Sequence, residues 1–521
     1  MEAKQSGSRM SRRCAMMLPP LLLCVLPYVP MGAEAKNLAS VTVAIHNELS
    51  TLDPHKIRGA FDQAFFSNVF EGLYGRDASG KPVPLLATGH TVAPDGLTYD
   101  FTLRQNVFFH NGDPMTAQDV RFSWVRAGDP AIGNPRAAVL VGNIADVEIV
   151  NPHRVRVKLK QKDAALIANL SEYWYIVPKE HIERVGNKGF EAAPVGTGPF
   201  KFAKYTIRES FDLEGFTKYW GARPAVDKLR LRFITDDQTR MASLQTGESD
   251  IVTNVPAFMV PVLQRTGKID IIQSPSLRNV FLAFNTHPRS RLADRRVREA
   301  INLAIDRKAL AKSVMQGLVE VQTVVCYRAV LGCDIPRDAY PFDPANARRL
   351  LREANFDTAK PLRIVAPIGL VPQAKETLEG VLHFLHQVGF KTEVTRLELG
   401  AFRGAYGGKD KEKSDTEIFL TTFSDYHPDP SGRLLRMLKT NEGFSWFNDP
   451  ALDAMLDQMN EFTDPRLRED HLRKIFLKTY DDHALGPLWT INNIYGVRKH
   501  IGWKPEPYVD WPVFQTLGPA N

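Results

Sequence analysis

An α/β fold is predicted by three features of the chain: short runs of alternating apolar and polar residues, helix starts marked by Asp-Pro pairs, and the interleaving of both kinds of segment through the second half. Val41-Thr42-Val43-Ala44-Ile45 alternates as a half-buried strand does, and the turn pair Asp53-Pro54 closes the segment after it. A helix is expected over 63–73, so that strand, loop and helix open an α/β layer. Tyr99-Asp100-Phe101-Thr102-Leu103 and Arg154-Val155-Arg156-Val157-Lys158-Leu159 alternate again, with turn signals at Asn111-Gly112 and Asn151-Pro152. That stretch reads as mostly β, with one short helix over 116–125. Farther on, Asp343-Pro344 sets a side-chain cap and an N1 proline ahead of Ala347, Leu350, Leu351 and Ala354, which share one helical face. Asp449-Pro450 repeats the device before Leu452, Met455, Leu456 and Met459, and Asp464-Pro465 repeats it again. Between these helices Leu362-Arg363-Ile364-Val365 and Glu417-Ile418-Phe419-Leu420 read as strands, the alternation of an open sheet. The polar run 407–415 is expected to be an exposed loop.

The first 35 residues have the composition of an export signal. Lys4, Arg9, Arg12 and Arg13 precede an apolar run from Cys14 to Tyr28, and Ala33-Glu34-Ala35 offers a cleavage site before Lys36. The run is too short to span a bilayer and is broken by Pro19, Pro20 and Pro27. Ser11-Arg12-Arg13 hints at twin-arginine export and Leu21-Leu22-Leu23-Cys24 at a lipoprotein box, although Leu23 is larger than the residue that normally precedes a lipidated cysteine. Removing 35 of 521 residues leaves 486, enough for two or three domains. The net charge of +7 arises from 66 basic residues scattered among 59 acids, without the basic-aromatic stripe of a nucleic-acid surface, so no nucleic-acid partner is expected. Four cysteines reduce to Cys326 and Cys333 after cleavage. In an oxidising compartment these are expected to form a small structural disulfide; two buried thiols are the alternative.

Four strings, taken in order, carry a family resemblance: Thr51-Leu52-Asp53-Pro54-His55 leading to Phe70-Glu71-Gly72-Leu73; Asp95-Gly96-Leu97-Thr98-Tyr99 with Leu103-Arg104; Gly196-Thr197-Gly198-Pro199-Phe200; and Val297-Arg298-Glu299-Ala300 running to Ala304-Ile305-Asp306-Arg307. Together they resemble the oligopeptide- and dipeptide-binding proteins of bacterial ABC importers, extracellular solute-binding family 5, from about residue 41 to 494. The resemblance implies a two-lobe periplasmic binding protein of type II with a ligand cleft between the lobes. By that analogy 36–74, 196–281 and 491–521 form the first lobe, 75–195 an added β-rich subdomain, and 282–490 the second lobe. It also implies a monomeric periplasmic carrier that captures a peptide or other small solute and delivers it to inner-membrane permease subunits, with no cofactor and no catalysis.

Such a protein needs anchors for its ligand, not nucleophiles. Phe423-Ser424-Asp425-Tyr426 follows the strand over 417–421, at the carboxyl end where open α/β sheets bind ligands. In the peptide-binding relatives the aspartate in Asp425's place holds the ligand's terminal ammonium; stabilising the turn before Pro428 is the competing role. Thr422, Phe423 and Tyr426 would line the same wall. Across the cleft, Ile57, Arg58, Gly59 and Ala60 belong to a loop expected to offer extended backbone to the ligand, with Gly59 suited to close approach. Arg58 either pairs with an acidic ligand group or faces solvent. Two departures from the family pattern disfavour a strict dipeptide binder: Thr422 replaces a tryptophan of the oligopeptide binders, and no arginine lies near Gly369-Leu370 to hold a carboxylate. Longer peptides remain open, as does a specialised non-peptide solute such as an opine or sugar phosphate, an oligosaccharide, haem or a metal complex.

Other motifs have simpler readings. His90 is expected to pack, and His383 with His386, one helical turn apart, lacks further ligands for a metal. Arg289, Arg291, Arg295, Arg296 and Arg298 are expected to form the solvated side of a helix whose buried face is Val297, Ile301, Ala304 and Ile305. Gly196-Thr197-Gly198 lacks a P-loop lysine and leads into a strand, so it reads as a crossover turn. Neither a His-Glu-x-x-His motif nor a Gly-x-Ser-x-Gly elbow occurs.

Overall fold

The computed structural model describes residues 37–520 except 58–61, 78–79, 135–136, 138–140, 173, 409–410, 425–428 and 510; the predicted export signal lies outside the described residues. The first strand of the described residues is β1 (Val41–Ile45). A hairpin of β2 (Tyr74–Arg76) and β3 (Pro82–Pro84) leads to β4 (Ala87–Val92), β5 (Thr98–Leu103), β6 (Ile144–Asn151) and β7 (Arg154–Leu159), an antiparallel sheet in the order β4-β5-β7-β6. The main sheet adds β8 (Phe200–Thr206), β9 (Ser210–Gly215), β10 (Lys228–Phe233), β11 (Ile251–Val252), β12 (Ile269–Phe284), β13 (Val319–Val321), β14 (Leu362–Pro367), β15 (Thr392–Leu397), β16 (Ile418–Ser424) and β17 (Leu485–Arg498). Its order is β15-β14-β16-β12-β17-β11-β1-β10-β9-β8, with β13 paired to β17.

The centre of that order explains the burial of β1. It runs parallel between β10 and β11, and a core covers each of its faces, Val41 and Val43 packing in one and Ala44 in another, all three fully buried. The alternation in the sequence had suggested a half-buried strand; two-sided cover replaces that expectation.

Two long strands carry the chain between separate cores. β12 and β17 are antiparallel, and their outer segments pair Ile269 to Pro275 with Arg498 to Asn492, next to a core holding Met241, Leu244, Ile269 and Ile494. Their other segments pair Asn279 to Ala283 with Thr490 to Leu485, next to a core holding Val280, Leu282, Leu420 and Trp489. The register shifts between Pro275 and Asn279. Buried side chains replace the missing ladder there: Ser276 Oγ donates to the Ile491 carbonyl (2.6 Å), Asn279 Nδ2 to the Leu277 carbonyl (3.0 Å), and Thr490 Oγ1 to Asn279 Oδ1 (3.1 Å). An irregular pair of antiparallel strands therefore joins the two cores.

Local capping chemistry works where the sequence marks it. Asp343 accepts from the Asn346 amide (2.9 Å), Asp449 from Ala451 and Leu452 (2.8 and 3.1 Å), and Asp464 from Arg466 and Leu467 (both 3.0 Å). The helix expected over 63–73 stops at Val69, because 71–72 pair with 175–176 through the Ile176 amide on the Glu71 carbonyl (2.9 Å) and the Gly72–Tyr175 bridge. The helix expected over 116–125 has a Thr116–Asp119 capping box and runs on to Gly128.

Two exposed charges of the sequence reading are internal. Arg298 is 5 % exposed and its guanidinium donates to the carbonyls of Leu292, Ala293, Asp482 and His483, tying a helix to the turn before β17. Lys411, within the supposed exposed loop, is 6 % exposed, and its ammonium bonds the carbonyls of Glu442, Gly443 and Ser445. In both cases backbone carbonyls from distant segments replace water around the charge.

Candidate functional site

The parallel strands β1, β10 and β11 end side by side, and the residues just beyond two of these ends, His46 with Asn47 and Thr253 with Asn254, face a cleft. Its other lining comes from Arg278 on β12, Asn493 and Tyr495 on β17, and Ala64, Trp511 and Pro512. The enclosed part of this cleft is small, about 40 Å³. The carboxyl ends of parallel strands are where open α/β sheets hold ligands.

The floor is held from behind. Arg240 is fully buried, and it donates to the carbonyls of Thr253 (3.0 Å), Asn254 (3.0 Å) and Ile234 (2.9 Å) and pairs with Asp237. This keeps Asn254 in a left-handed backbone conformation, φ 55°, a geometry asparagine tolerates. His46 Nδ1 lies 3.3 Å from Thr253 Oγ1. Burial, with the charges of Arg240 and Arg278, pushes its imidazole down to about 3, so it lines the cleft as a neutral polar group.

Arg278 stands at the register shift of β12. Its amide is capped by Ser276 Oγ (3.1 Å), and it lies opposite Ser424 at the carboxyl end of β16, with Nε donating to Ser424 Oγ (3.4 Å). Because directly opposed residues share a sheet face, Arg278, Ser424 and Thr422 point to one side and Phe423 to the other. Thr422 is half-buried, and its Oγ1 is shielded from solvent with no hydrogen-bond partner among the described residues. Phe423 is half-buried against the second lobe's core, with the Arg436 guanidinium 5.5 Å from its ring. Asp425 and Tyr426, expected to complete this wall, lie outside the described residues.

The opposite expected wall is partly described. Ile57 is 1 % exposed and packs in the core that holds Leu52 and Phe65, so only its backbone is left for a ligand. Arg58, Gly59 and Ala60 lie outside the described residues. The segment leading to them is clamped to the helix over 117–128 and to Tyr175: Arg126 Nη1 donates to Asp53 Oδ1 (3.0 Å) and lies 2.9 Å from His55 Nδ1, while His55 Nε2 lies 3.0 Å from the Tyr175 carbonyl. Burial would raise the Asp53 carboxyl, yet the Arg126 guanidinium outweighs it and holds the group below the ordinary carboxylate range. Burial, then the Arg126 charge, lowers His55 to about 4.

Cys326 and Cys333 are disulfide-bonded, with Cα atoms 5.8 Å apart, and both are buried in the core that holds Leu434 and Phe476. His90 packs between Tyr74 and Tyr99, with Nδ1 2.6 Å from the Tyr74 hydroxyl. His383 and His386 face Gln387 and Thr392 respectively (both 2.8 Å), and no cluster of metal-ligating side chains occurs among the described residues. Gly196 and Gly198 sit directly against the chain at 68–69: a Cβ on Gly196 would come within 2.0 Å of the Val69 carbonyl oxygen, the close approach a crossover turn requires.

The model of the bacterial extracellular solute-binding proteins, family 5, matches residues 81–445. The chain belongs to this family. With membership comes its function class, that of a periplasmic binding protein that captures a solute for an ABC importer. The glutathione-binding protein GsiB of Salmonella typhi is 31 % identical over 391 residues, 74 % of each chain. Among solved structures, CtaP of Listeria monocytogenes superposes with a TM-score of 0.84 at 21 % identity, over 93 % of this chain and all of that one. DppA of Helicobacter pylori, solved with the peptide STSA, gives 0.79 at 22 %, over 93 % and 99 %. The fold is that of the two-lobe periplasmic binding proteins.

Sequence reasoning missed His46, Asn254, Asn493 and above all Arg278. The sequence offered little signal for Arg278, because Asp270, Gln273, Ser274 and Ser276 of the same strand are polar as well.

Proposed function

We propose that the protein captures short peptides between its lobes and hands them to inner-membrane permease subunits, as a monomeric carrier without catalytic activity. One observation carries this reading: the cleft at 45–47, 253–254 and 278 presents neutral amides and an imidazole around a guanidinium, a set that suits a ligand rich in peptide groups. Relatives at 31 % identity are named for glutathione, itself a tripeptide, which supports the same class. Asp425 is the proposed anchor for the ligand's ammonium, Thr422, Phe423 and Tyr426 its neighbours on the second lobe, and the backbone at 57–60 the pairing surface on the first. Arg58 is assigned to the same rim.

In this proposal the first lobe spans 36–74, 196–281 and 491–521, the β-rich subdomain 75–195 and the second lobe 282–490, with the irregular crossing at 276–279 and 490–492 as the hinge. Ligand contacts to both lobes stabilise the closed population over the open one. The leader of 35 residues is removed on export. A micromolar Kd corresponds to about 8 kcal/mol, a scale that permits release to a permease. Peptides of equal length and unrelated sequence are then expected to bind within about tenfold of one another.

Isothermal titration with a tripeptide against wild type and Asp425→Ala tests the anchor. Loss of a buried ammonium partner is expected to cost about 3–5 kcal/mol; equal affinities would remove Asp425 from the site. A small anionic non-peptide solute is the second reading, favoured by the guanidinium in the cleft, and the release of a single non-peptide mass from the purified protein would support it.

A further inference from the structure

We propose that the segment 503–509 is a clasp over the irregular crossing of β12 and β17, with Tyr508 as its latch, and that the clasp favours the narrow form of the cleft in which a ligand is held. The proposal rests on the reading above that places the hinge at 276–279 and 490–492, and deepens it by naming the residues that bias that hinge.

The segment is tied to the crossing at three points. The Tyr508 amide donates to the Pro275 carbonyl (2.7 Å), Ser274 Oγ to the Glu506 carbonyl (3.1 Å), and Asn493 Nδ2 to the Val509 carbonyl (2.7 Å). Ser274 and Pro275 precede the register shift of β12, where they pair with Asn493 and Asn492 of β17. Asn493 also lines the cleft, so the clasp holds one end of a cleft side chain.

Its side chains reach two cores. Trp503 packs edge-on against Tyr495, with 5.0 Å between ring centroids, in the core that holds Val41 and Phe514. Farther along, the Tyr508 ring lies 5.3 Å from that of Tyr327, against the core that holds Leu277, Phe281 and both cysteines. Tyr327 is buried and follows Cys326 directly, inside the loop closed by the Cys326–Cys333 disulfide, so its ring is presented from a stapled base. One short segment therefore spans the crossing and touches the core on either side. A movement about the crossing that parts these cores must break the contact of Tyr508 with Tyr327.

The backbone of Tyr508 gives the contact its significance. Its φ is 63°, a left-handed conformation that a bulky residue adopts only at a cost. Glycine would adopt it freely but would bring no ring to Tyr327. Strain of this kind persists where surrounding contacts over-determine it, and here those contacts are the Pro275 bond and the ring pair. The turn and the ring contact are thus made or lost together. The arrangement that contains them encloses only about 40 Å³ in the cleft, so the latched form is the narrow one.

Small-angle scattering of the ligand-free protein and the release rate of trialanine test this in wild type, Tyr508→Gly, Tyr508→Phe and Tyr327→Leu. Tyr508→Gly keeps the left-handed turn without strain and removes only the ring, so its thermal midpoint is expected to stay close to that of wild type. Tyr508→Gly and Tyr327→Leu are expected to have a larger radius of gyration than wild type and to release trialanine about three- to tenfold faster. Tyr508→Phe, which keeps the ring, is expected to restore most of both. Folded Tyr508→Gly with wild-type scattering and wild-type release would overturn the clasp. A wild-type profile unchanged by saturating trialanine, with binding shown by calorimetry, would instead remove the hinge, and the clasp with it. Failure of trialanine to bind wild type would count against peptide capture and leave the clasp to be decided by the ligand-free scattering alone.

Discussion

Replacing Arg126 by leucine tests how far the helix over 117–128 holds the segment at 53–55. Side chains of Arg126 and Asp53 are 4 % and 0 % exposed. Besides its bonds to Asp53 and His55, Arg126 donates from Nε and Nη2 to Asn187 Oδ1 (3.1 and 3.0 Å). Leucine fills much of the volume but leaves the Asp53 carboxylate buried without its counter-charge, a loss of about 3–5 kcal/mol. The sign of the pH dependence follows. In wild type the Asp53 pKa is depressed, so its contribution is present above the unfolded value of about 3.9 and fades only as pH falls through the folded value. Without Arg126 the folded pair Asp53 and His55 binds a proton more readily than in folded wild type, so the deficit of the variant is larger at pH 7 than at pH 5. Urea unfolding followed by tryptophan fluorescence at both pH values measures this. Adding Asp53→Asn to Arg126→Leu is expected to recover part of the loss, since the stranded charge is gone. A deficit under about 1 kcal/mol, equal at both pH values, would refute the buried-pair argument.

Glu71 supplies a prediction of opposite slope. Burial raises its carboxyl to about 7 despite hydrogen bonds from Trp220 Nε1 (2.9 Å) and Tyr219 Oη (2.8 Å). Its contribution is full below the unfolded pKa and is lost as pH rises through 7, so Glu71→Gln is expected to unfold at a higher temperature than wild type at pH 8 and to show no advantage at pH 4; a difference independent of pH would contradict the raised pKa. Gly196→Ala places a methyl 2.0 Å from the Val69 carbonyl oxygen, an overlap that forces the crossover turn apart and is expected to cost more than about 2 kcal/mol or abolish soluble expression. Wild-type melting behaviour in Gly196→Ala would refute that close approach.

What the sequence made legible was local. Asp343, Asp449 and Asp464 announce their helices because cap and helix are adjacent in the chain, and the alternation in β5 and β7 lies within single strands. The four family strings conveyed the fold because they span most of the chain in a fixed order. What stayed hidden depends on partners far apart in sequence. Arg298 and Lys411 looked like surface charges because the carbonyls that bury them come from a distant turn and a distant loop. The register shift that positions Arg278 arises from pairing with residues more than 200 positions away, and no periodicity within 269–284 marks it. Ile57 was counted as cleft lining because its loop faces the ligand in the family, whereas its side chain turns into the core.

The central claim is capture of short peptides, and native mass spectrometry of the protein purified without denaturation from its own periplasm tests it most directly. A ladder of heterogeneous masses that resolves on release into short peptides is the predicted result. One discrete non-peptide mass, bound at full occupancy, would contradict it.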